Sequence, residues 1–323
     1  MARPLISVII PNWNGIAFLA GCLDSLRGQT YDPFEVIVAD NASTDGSQAL
    51  IGERYPTVRL VQLNTNRGFT GACNAGIKAA RGEVVILLNN DTEVAPDWLA
   101  EVMAAFDRHP EAGLVASKML LFDRRDTLHT AGDLVYVSGL PANRGVWQVD
   151  GEAYSREEYT FSACGGSAAY RKAMLDQIGL LDDDFFFSCE DVDLAWRAQL
   201  AGWKCVYAPC AVVYHRLAAT GGGVTASFYD GRNFLWVIAK NYPGELLRRH
   251  WAAVVGAQIG LGWAAVKAWR GAAARARLRG MATGLLTLPR ILHKRRAIQA
   301  TRTASLETIE ALLTPVEPRG NAS

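Results

Sequence analysis

The chain lacks the marks of several large protein classes, and each absence narrows what it can be. None of its six cysteines (Cys22, Cys73, Cys164, Cys189, Cys205, Cys210) stands in the CxxC spacing of structural zinc sites. The apolar run Ile6 to Pro11 is too short for a signal core, so the thiols read as those of a cytoplasmic protein. No apolar run has the length of a bilayer span. The nearest, Trp251 to Trp269, has 16 apolar-to-neutral residues before Lys267, and Gln258 interrupts them. That segment is expected to lie in a membrane interface or to dock as a core helix. There is no internal repeat and no low-complexity linker. With 50% hydrophobic and 20% charged residues, neither a disordered chain nor a wholly membrane-embedded one fits.

What is present is a strong internal asymmetry. Residues 1–240 carry 20 basic and 28 acidic side chains, whereas 241–303 carry 12 basic and one acidic. A mildly acidic body is thus followed by a basic, Ala/Leu/Trp-rich segment that the whole-chain net charge of +1 conceals. At 323 residues the chain accommodates one large α/β domain plus an appendage. The expected division is a nucleotide-binding domain over 1–240, a basic helical region over 241–303 and a flexible tail over 304–323.

The N-terminal hundred residues alternate. LISVII (5–10), FEVIVAD (34–40), VRLVQLN (58–64) and EVVILLN (83–89) are short, β-rich runs. Between them, 16–28, 47–54 and 70–80 have helical spacing. Such alternation predicts a parallel sheet with helices on its faces, and ligands in such sheets sit beyond the carboxyl ends of the strands. Those ends are polar here: NWN, DN, NTNRG and NND. A helix from Ala95-Pro96-Asp97 to about His109 follows, and 117–160 reads as strands and loops. Residues 172–178 and the second half of 182–202 are helical by pattern, WKCVYAPCAVVYH (203–215) reads as two short strands turning at Pro209, and helices dominate from Phe228 onward.

Several of these residues can carry chemistry, each with a plainer alternative. Asn89-Asn90-Asp91 ends a strand where a carboxylate suits a divalent ion bridging phosphates, although the same triplet can be a turn before Pro96. Asp40 at a strand end can accept the ring N–H of a pyrimidine, or it can simply precede a capped helix. Asn66-Arg67-Gly68-Phe69 offers a cation and a flexible backbone to a diphosphate, or forms a turn. Glu190 and Asp191, with Asp193, follow three phenylalanines (Phe185, Phe186, Phe187). Acids against an apolar wall can have raised pKa values and act as a general base, but acids also suit a helix N-terminus. His215 at a strand end is structural unless it has a metal-ligating partner, for which Asp91 is the candidate.

In this order, SVIIPNWNG (7–15), DNASTDG (40–46), NRGFTGACNAG (66–76), NNDT (89–92), CGGS (164–167), FFSCEDVDL (186–194) and His215 resemble the inverting family 2 glycosyltransferases of the GT-A fold, over about residues 5–240. The branch they resemble is the bacterial rhamnosyltransferase-like one of cell-surface polysaccharide assembly. The resemblance implies a Rossmann-like nucleotide-binding sheet and an enzyme that moves a hexose, with rhamnose the first candidate, from a nucleoside diphosphate to a hydroxyl. Pro11, Asn12, Asn14 and Asp40 would line the nucleoside pocket; Arg67, Gly68 and Asn74 would approach ribose and diphosphate. Asn90 and Asp91 stand at the family's DxD-type position, with Asn89 in place of the first acid. Asp91 and His215 would then hold Mg²⁺ or Mn²⁺. Asp191 would be the catalytic base, with Glu190 beside it.

The implied partners are a dTDP- or UDP-sugar and a glycan or lipid-linked acceptor, with no nucleic acid. The tryptophans and arginines of 251–296 fit peripheral attachment to the anionic inner face of the cytoplasmic membrane, where each basic residue contributes about 1 kcal/mol. A solvated basic helical cap is the alternative. Two other functions compete: a nucleotidyltransferase, for which a Gly-rich loop with its lysine near the N-terminus is missing, and a non-catalytic sugar-nucleotide-binding assembly subunit.

Overall fold

The computed structural model describes residues 3–217 and 223–315. The first apolar run forms β1 (Ile6–Asn12), buried along its whole length. Helices cover both faces of the sheet, so its strands are continuous apolar runs rather than alternating ones. There follow α1 (Ile16–Arg27), β2 (Phe34–Asp40), α2 (Ser47–Arg54), β3 (Arg59–Gln62), α3 (Gly68–Ala79) and β4 (Val84–Leu88). The alternating N-terminal pattern therefore becomes parallel strands joined by helical crossovers. Next come β5 (Thr92–Val94), α4 (Trp98–Arg108), β6 (Ala112–Leu121), β7 (Leu128–Ala131), β8 (Asp133–Val135), β9 (Pro141–Asn143), β10 (Glu158–Thr160) and β11 (Ser167–Arg171). Helices α5 (Lys172–Ile178) and α6 (Glu190–Leu200) lead to β12 (Lys204–His215).

The main sheet runs β10-β12-β6-β11-β4-β1-β2-β3, with β5 on β12 and β7 on β6. Strands β3, β2, β1 and β4 are parallel, β11 lies antiparallel between β4 and β6, and β12 runs parallel to β6. Because β1 has β2 on one side and β4 on the other, the order reverses there, and a crevice opens at the carboxyl ends of β1 and β4. Side chains alternate across the sheet. Val8, Ile10, Ile86 and Leu88 pack with Trp98 and Phe106 of α4, while Ile9, Ile37, Val85 and Leu87 face Ile77 of α3 and Trp196 of α6.

Two expectations are corrected here. Residues 203–215 form the single strand β12, whose register against β6 slips between Ala208 and Val212. Pro209, which has no N–H to give the ladder, sits within that bulge, so the strand bends instead of ending. The stretch 304–315 is also not a loose tail. Its helix α12 (Leu306–Leu312) is capped by Ser305 Oγ accepting from the N–H of Thr308 at 3.1 Å, and Ile309 is fully buried. Thr314 N–H then donates to Val135 O at 2.8 Å. Residues 316–323 of that expected tail lie outside the described residues.

Five further helices, α7 (Val224–Asn241), α8 (Gly244–Arg249), α9 (Trp251–Lys267), α10 (Ala272–Leu286) and α11 (Leu288–Ala300), precede α12. Helix α10 packs on α7 at backbone contact distance. A Cβ on Gly280 would stand 2.0 Å from Phe228 O, so no larger residue fits. Among the described residues no helix is long and apolar enough to cross a membrane.

Charge ties these helices to the sheet domain. Lys240 of α7, almost fully buried, lies 2.6 Å from Asp182 and 2.7 Å from Asp193, and Arg197 lies 3.0 Å from Asp193. Burial pushes the Asp193 carboxyl up, but Lys240 and Arg197 outweigh it and hold the group below its ordinary range. Lys294 of α11 bridges Asp182 at 2.6 Å and Asp184 at 2.7 Å, and Arg290 pairs with Asp184.

Candidate active site

The strand ends converge as the alternation requires. Asn12 and Asp40 are register partners at the ends of β1 and β2. Asn12 Nδ2 donates to Asp40 Oδ1 at 3.0 Å, and Asn90 Nδ2, beyond β4, donates to Asn12 Oδ1 at 2.7 Å. This buried chain joins three strand ends and forms one wall of a cavity of about 670 Å³, lined there by Pro11, Asn12, Gly68 and Asn90. Asp40 itself is fully buried behind that wall, where its Oδ2 accepts from Gln48 Nε2 at 2.7 Å and from Ser43 N–H at 3.1 Å. Asn14 braces two loops: its N–H donates to Ser43 Oγ and its Oδ1 accepts from Thr44 N–H.

Arg67, half exposed, stands at the start of α3 and lies 3.5 Å from Asp183. Asn74 departs from the expected sugar-nucleotide contact. Its Nδ2 donates to Leu181 O and Asp183 Oδ1, and its Oδ1 accepts from Leu181 N–H. An amide so occupied clamps α3 to the 181–183 segment and has little left for a ligand.

Gly68 is required by a second close approach, to Phe186. Its φ is +73°, and a Cβ would lie 2.4 Å from Phe186 O. The opposing segment is itself strained: Phe186, Ser188 and Cys189 all have positive φ, a conformation that costs a non-glycine residue about 1 kcal/mol or more and collects at functional sites. This backbone turns the chain into α6 so that Glu190 and Asp191 face the cavity.

Asp191 accepts from the Gly165 N–H at 2.7 Å through Oδ2 and from the Val192 N–H at 2.7 Å through Oδ1. Burial raises its pKa, and these N–H groups oppose the rise. Glu190 is pushed well above the ordinary range by burial and then by the neighbouring Asp191. Of the two, Glu190 is pushed further toward its protonated form, while the two backbone donors on Asp191 favour its charged form. Asp193, grouped with them by sequence, turns away into the Lys240 network.

A third acid, Asp133 of β8, also lines the cavity. It accepts from Thr130 Oγ1 at 2.8 Å and Asn143 Nδ2 at 2.9 Å, yet burial, with the charge of Asp191, pushes it up to about 7. Ligand atoms of Asp133, Cys164 and Asp191 lie within 4.8 Å of one another. Burial, and then the charges of Asp133 and Asp191, hold the Cys164 thiol well above its ordinary pKa.

On another wall Asp91 and His215 meet, with His215 Nε2 3.2 Å from Asp91 Oδ1 and both side chains buried. Strand pairing places them: His215 closes β12, opposite Thr92 of β5. His215 Nδ1 lies 3.0 Å from Nδ1 of His129 on β7. Burial, and then His215, lowers the His129 pKa to about 3. One carboxylate oxygen and one imidazole nitrogen, adjacent and lining the cavity, fit a divalent cation of the Mg²⁺ or Mn²⁺ kind. Neither Asp133 nor His129 was singled out from the sequence. Both fall in 117–160, where no regular pattern marks the strands that carry them.

Comparison with known proteins adds the lineage. The model of the family described as Glycosyl transferase family 2 matches residues 7–179. An uncharacterized protein of Sinorhizobium fredii is 30% identical over 233 residues, which cover 68% of this chain and 25% of that protein. The N-acetylglucosaminyl-diphospho-decaprenol L-rhamnosyltransferase of Mycobacterium tuberculosis is 32% identical over 232 residues, 64% of this chain and 74% of its own. The crystal structure of GalNAc-T7 with UDP, GalNAc and Mn²⁺ superposes with a TM-score of 0.59 at 17% identity, over 73% of this chain and 48% of that one. The fold is GT-A, as the sequence resemblance implied.

Proposed function

Since the chain belongs to glycosyl transferase family 2, we propose that it is an inverting, metal-dependent enzyme that moves a sugar from a nucleoside diphosphate to a hydroxyl of a glycan or lipid-linked acceptor in cell-surface polysaccharide synthesis. The observation that carries this reading is the placement of Asp191, a half-buried carboxylate oriented by two backbone N–H groups, in the same cavity as Asp91 and His215. Pro11, Asn12, Gly68 and Asn90 would receive the nucleotide. Asp40 would reach the base once Gln48 Nε2 yields its oxygen, and Arg67 would turn from Asp183 toward the diphosphate.

Asp91 and His215 would hold the cation, which supplies positive charge to the departing diphosphate. Asp191 takes the proton of the acceptor hydroxyl as its oxygen attacks the anomeric carbon, and the bond to the diphosphate oxygen breaks with its electron pair on the nucleotide. A single displacement inverts the anomeric centre. Glu190, protonated, leaves Asp191 as the anionic member of the pair. The mycobacterial relative's name supports a lipid-diphosphate acceptor and a rhamnosyl donor for this chain too.

The acceptor's lipid also accounts for α9. Trp251, Val255, Ile259, Trp263 and Val266 are exposed and fall within about 120° of its circumference. Residues 246–306 contain no acid and include exposed Lys267, Arg270, Arg275 and Arg279. This face would lie in the interface of an anionic membrane.

The test is calorimetry and transfer assays with UDP, dTDP and GDP and their sugars in Mn²⁺. Asp191→Asn is expected to abolish transfer and keep metal-dependent nucleotide binding, while Asp91→Ala loses both. Lost nucleotide binding in Asp191→Asn, or full activity of Asp91→Ala without added metal, would overturn the respective roles. Donor hydrolysis absent with every sugar nucleotide would favour a binding subunit.

A further inference from the structure

We propose that His129 is a positioning residue that fixes the tautomer of His215, and so makes His215 able to bind a divalent cation. This rests on the reading of Asp91 and His215 as the cation's ligands. An imidazole binds a metal through a nitrogen lone pair, so Nε2, the nitrogen facing Asp91 at 3.2 Å, must carry no proton. The ring proton of His215 then resides on Nδ1. Only one proton fits between the two Nδ1 atoms, which are 3.0 Å apart. His129 must therefore accept through Nδ1, with its own proton on Nε2.

The opposite arrangement is inactive. If His129 donates from Nδ1, His215 carries its proton on Nε2, the nitrogen facing Asp91, which closes the site against a cation. The two tautomers of one buried pair thus correspond to a site able and unable to load. A cation next to Asp91 favours the first, because it replaces the Nε2 proton. His129 is buried and rises from β7 beside β6, and its ring centroid lies 4.8 Å from that of His215. Its position is set by the sheet and does not depend on the ligand.

The experiment measures Mn²⁺ affinity by electron paramagnetic resonance in the full chain, with inorganic pyrophosphate as the diphosphate probe. His129→Leu, which fills the space and cannot accept, is expected to weaken Mn²⁺ binding by about 10- to 100-fold. His129→Asn, whose Oδ1 accepts near the place of Nδ1, is expected to stay within about threefold of the parent, a rescue that a packing role would not give. Undiminished binding in His129→Leu, or equal loss in both variants, overturns the proposal. Asp91→Ala separates the two levels. If it abolishes binding while His129→Leu does not, only the positioning role fails; if Asp91→Ala also binds normally, the cation site itself is misplaced. Nitrogen-15 spectra of the histidines in the unmutated chain, with Mg²⁺ and pyrophosphate, read the tautomer without any substitution. A proton on His215 Nδ1 supports the assignment, and one on Nε2 overturns it.

Discussion

Removing the carboxylate of Asp133 should stabilise the protein, and only above mildly acidic pH. The group sits at about 7 in the folded chain, against 3.8 for an unperturbed aspartate, because burial and Asp191 both disfavour its charge. The folded state therefore holds a proton that the unfolded chain has lost throughout that window, and stability falls as pH rises through it. Each pH unit is worth up to about 1.4 kcal/mol, so between about pH 5 and 7 the native state loses roughly 2.3 kcal/mol on this account. Asp133→Asn keeps the acceptor oxygen for Thr130 and Asn143 and abolishes the titration. Urea denaturation of parent and variant at about pH 5 and pH 8 measures the effect. The variant's advantage should grow by roughly 2 to 3 kcal/mol between those conditions. An advantage that is the same at both, or larger in acid, refutes the picture of a buried carboxylate crowded by Asp191.

Other perturbations test the frame around the site. Lys240→Ala leaves Asp182 and Asp193 without their shared cation, and denaturation should show a loss of about 3–5 kcal/mol; a loss below about 1 kcal/mol would mean that Arg197 and Lys294 suffice. Gly68→Ala meets both a positive φ and the Phe186 carbonyl, and should lower stability by about 1–3 kcal/mol and weaken nucleotide binding together, whereas an unchanged melting temperature and Kd would refute the close approach. In flotation with vesicles containing anionic lipid, the full chain should rise and a Trp251→Glu, Ile259→Glu, Trp263→Glu variant should stay at the bottom. Equal partitioning of the two disproves the α9 contact.

Much of the cavity wall built from the strand ends was legible because it depends on local pattern. An apolar run followed by Asn or Asp puts that residue at a strand end whatever the rest of the chain does, and Asn12, Asp40, Asn90 and Asp91 all follow this rule. Whether such a residue points into the cavity depends on partners distant in sequence. Asp40 is turned inward by Asn12 and Gln48, 28 and 8 residues away, and Asn74 is taken by Leu181 and Asp183, more than a hundred residues on. The proximity of His129 to the site arises from the pairing of β7 with β6, and that of Asp133 from the pairing of β8 with β9, neither of which has a periodic signature. Pro209 was read as a turn because proline usually ends a ladder, whereas a bulge lets the strand continue to His215.

The charge asymmetry has two physical uses, and separating them joins the helical region to the chemistry. Arg290 and Lys294 of the basic segment, together with the buried Lys240 that precedes it, pair with Asp182, Asp184 and Asp193, which brace both ends of the strained Phe186–Cys189 turn. Arg232 reinforces the same turn by donating to the carbonyls of Asp184 and Phe185, and Asn233 donates to those of Phe187 and Ser188. Non-glycine residues keep positive φ only where surrounding contacts overdetermine them, and here those contacts come from α7 and α11. The orientation of Asp191 therefore depends on helices that contribute no proposed catalytic group. Truncating the chain before α11 would then impair the base and not merely membrane contact, and the exposed cations of α9 and α10 would be the ones left for a lipid surface.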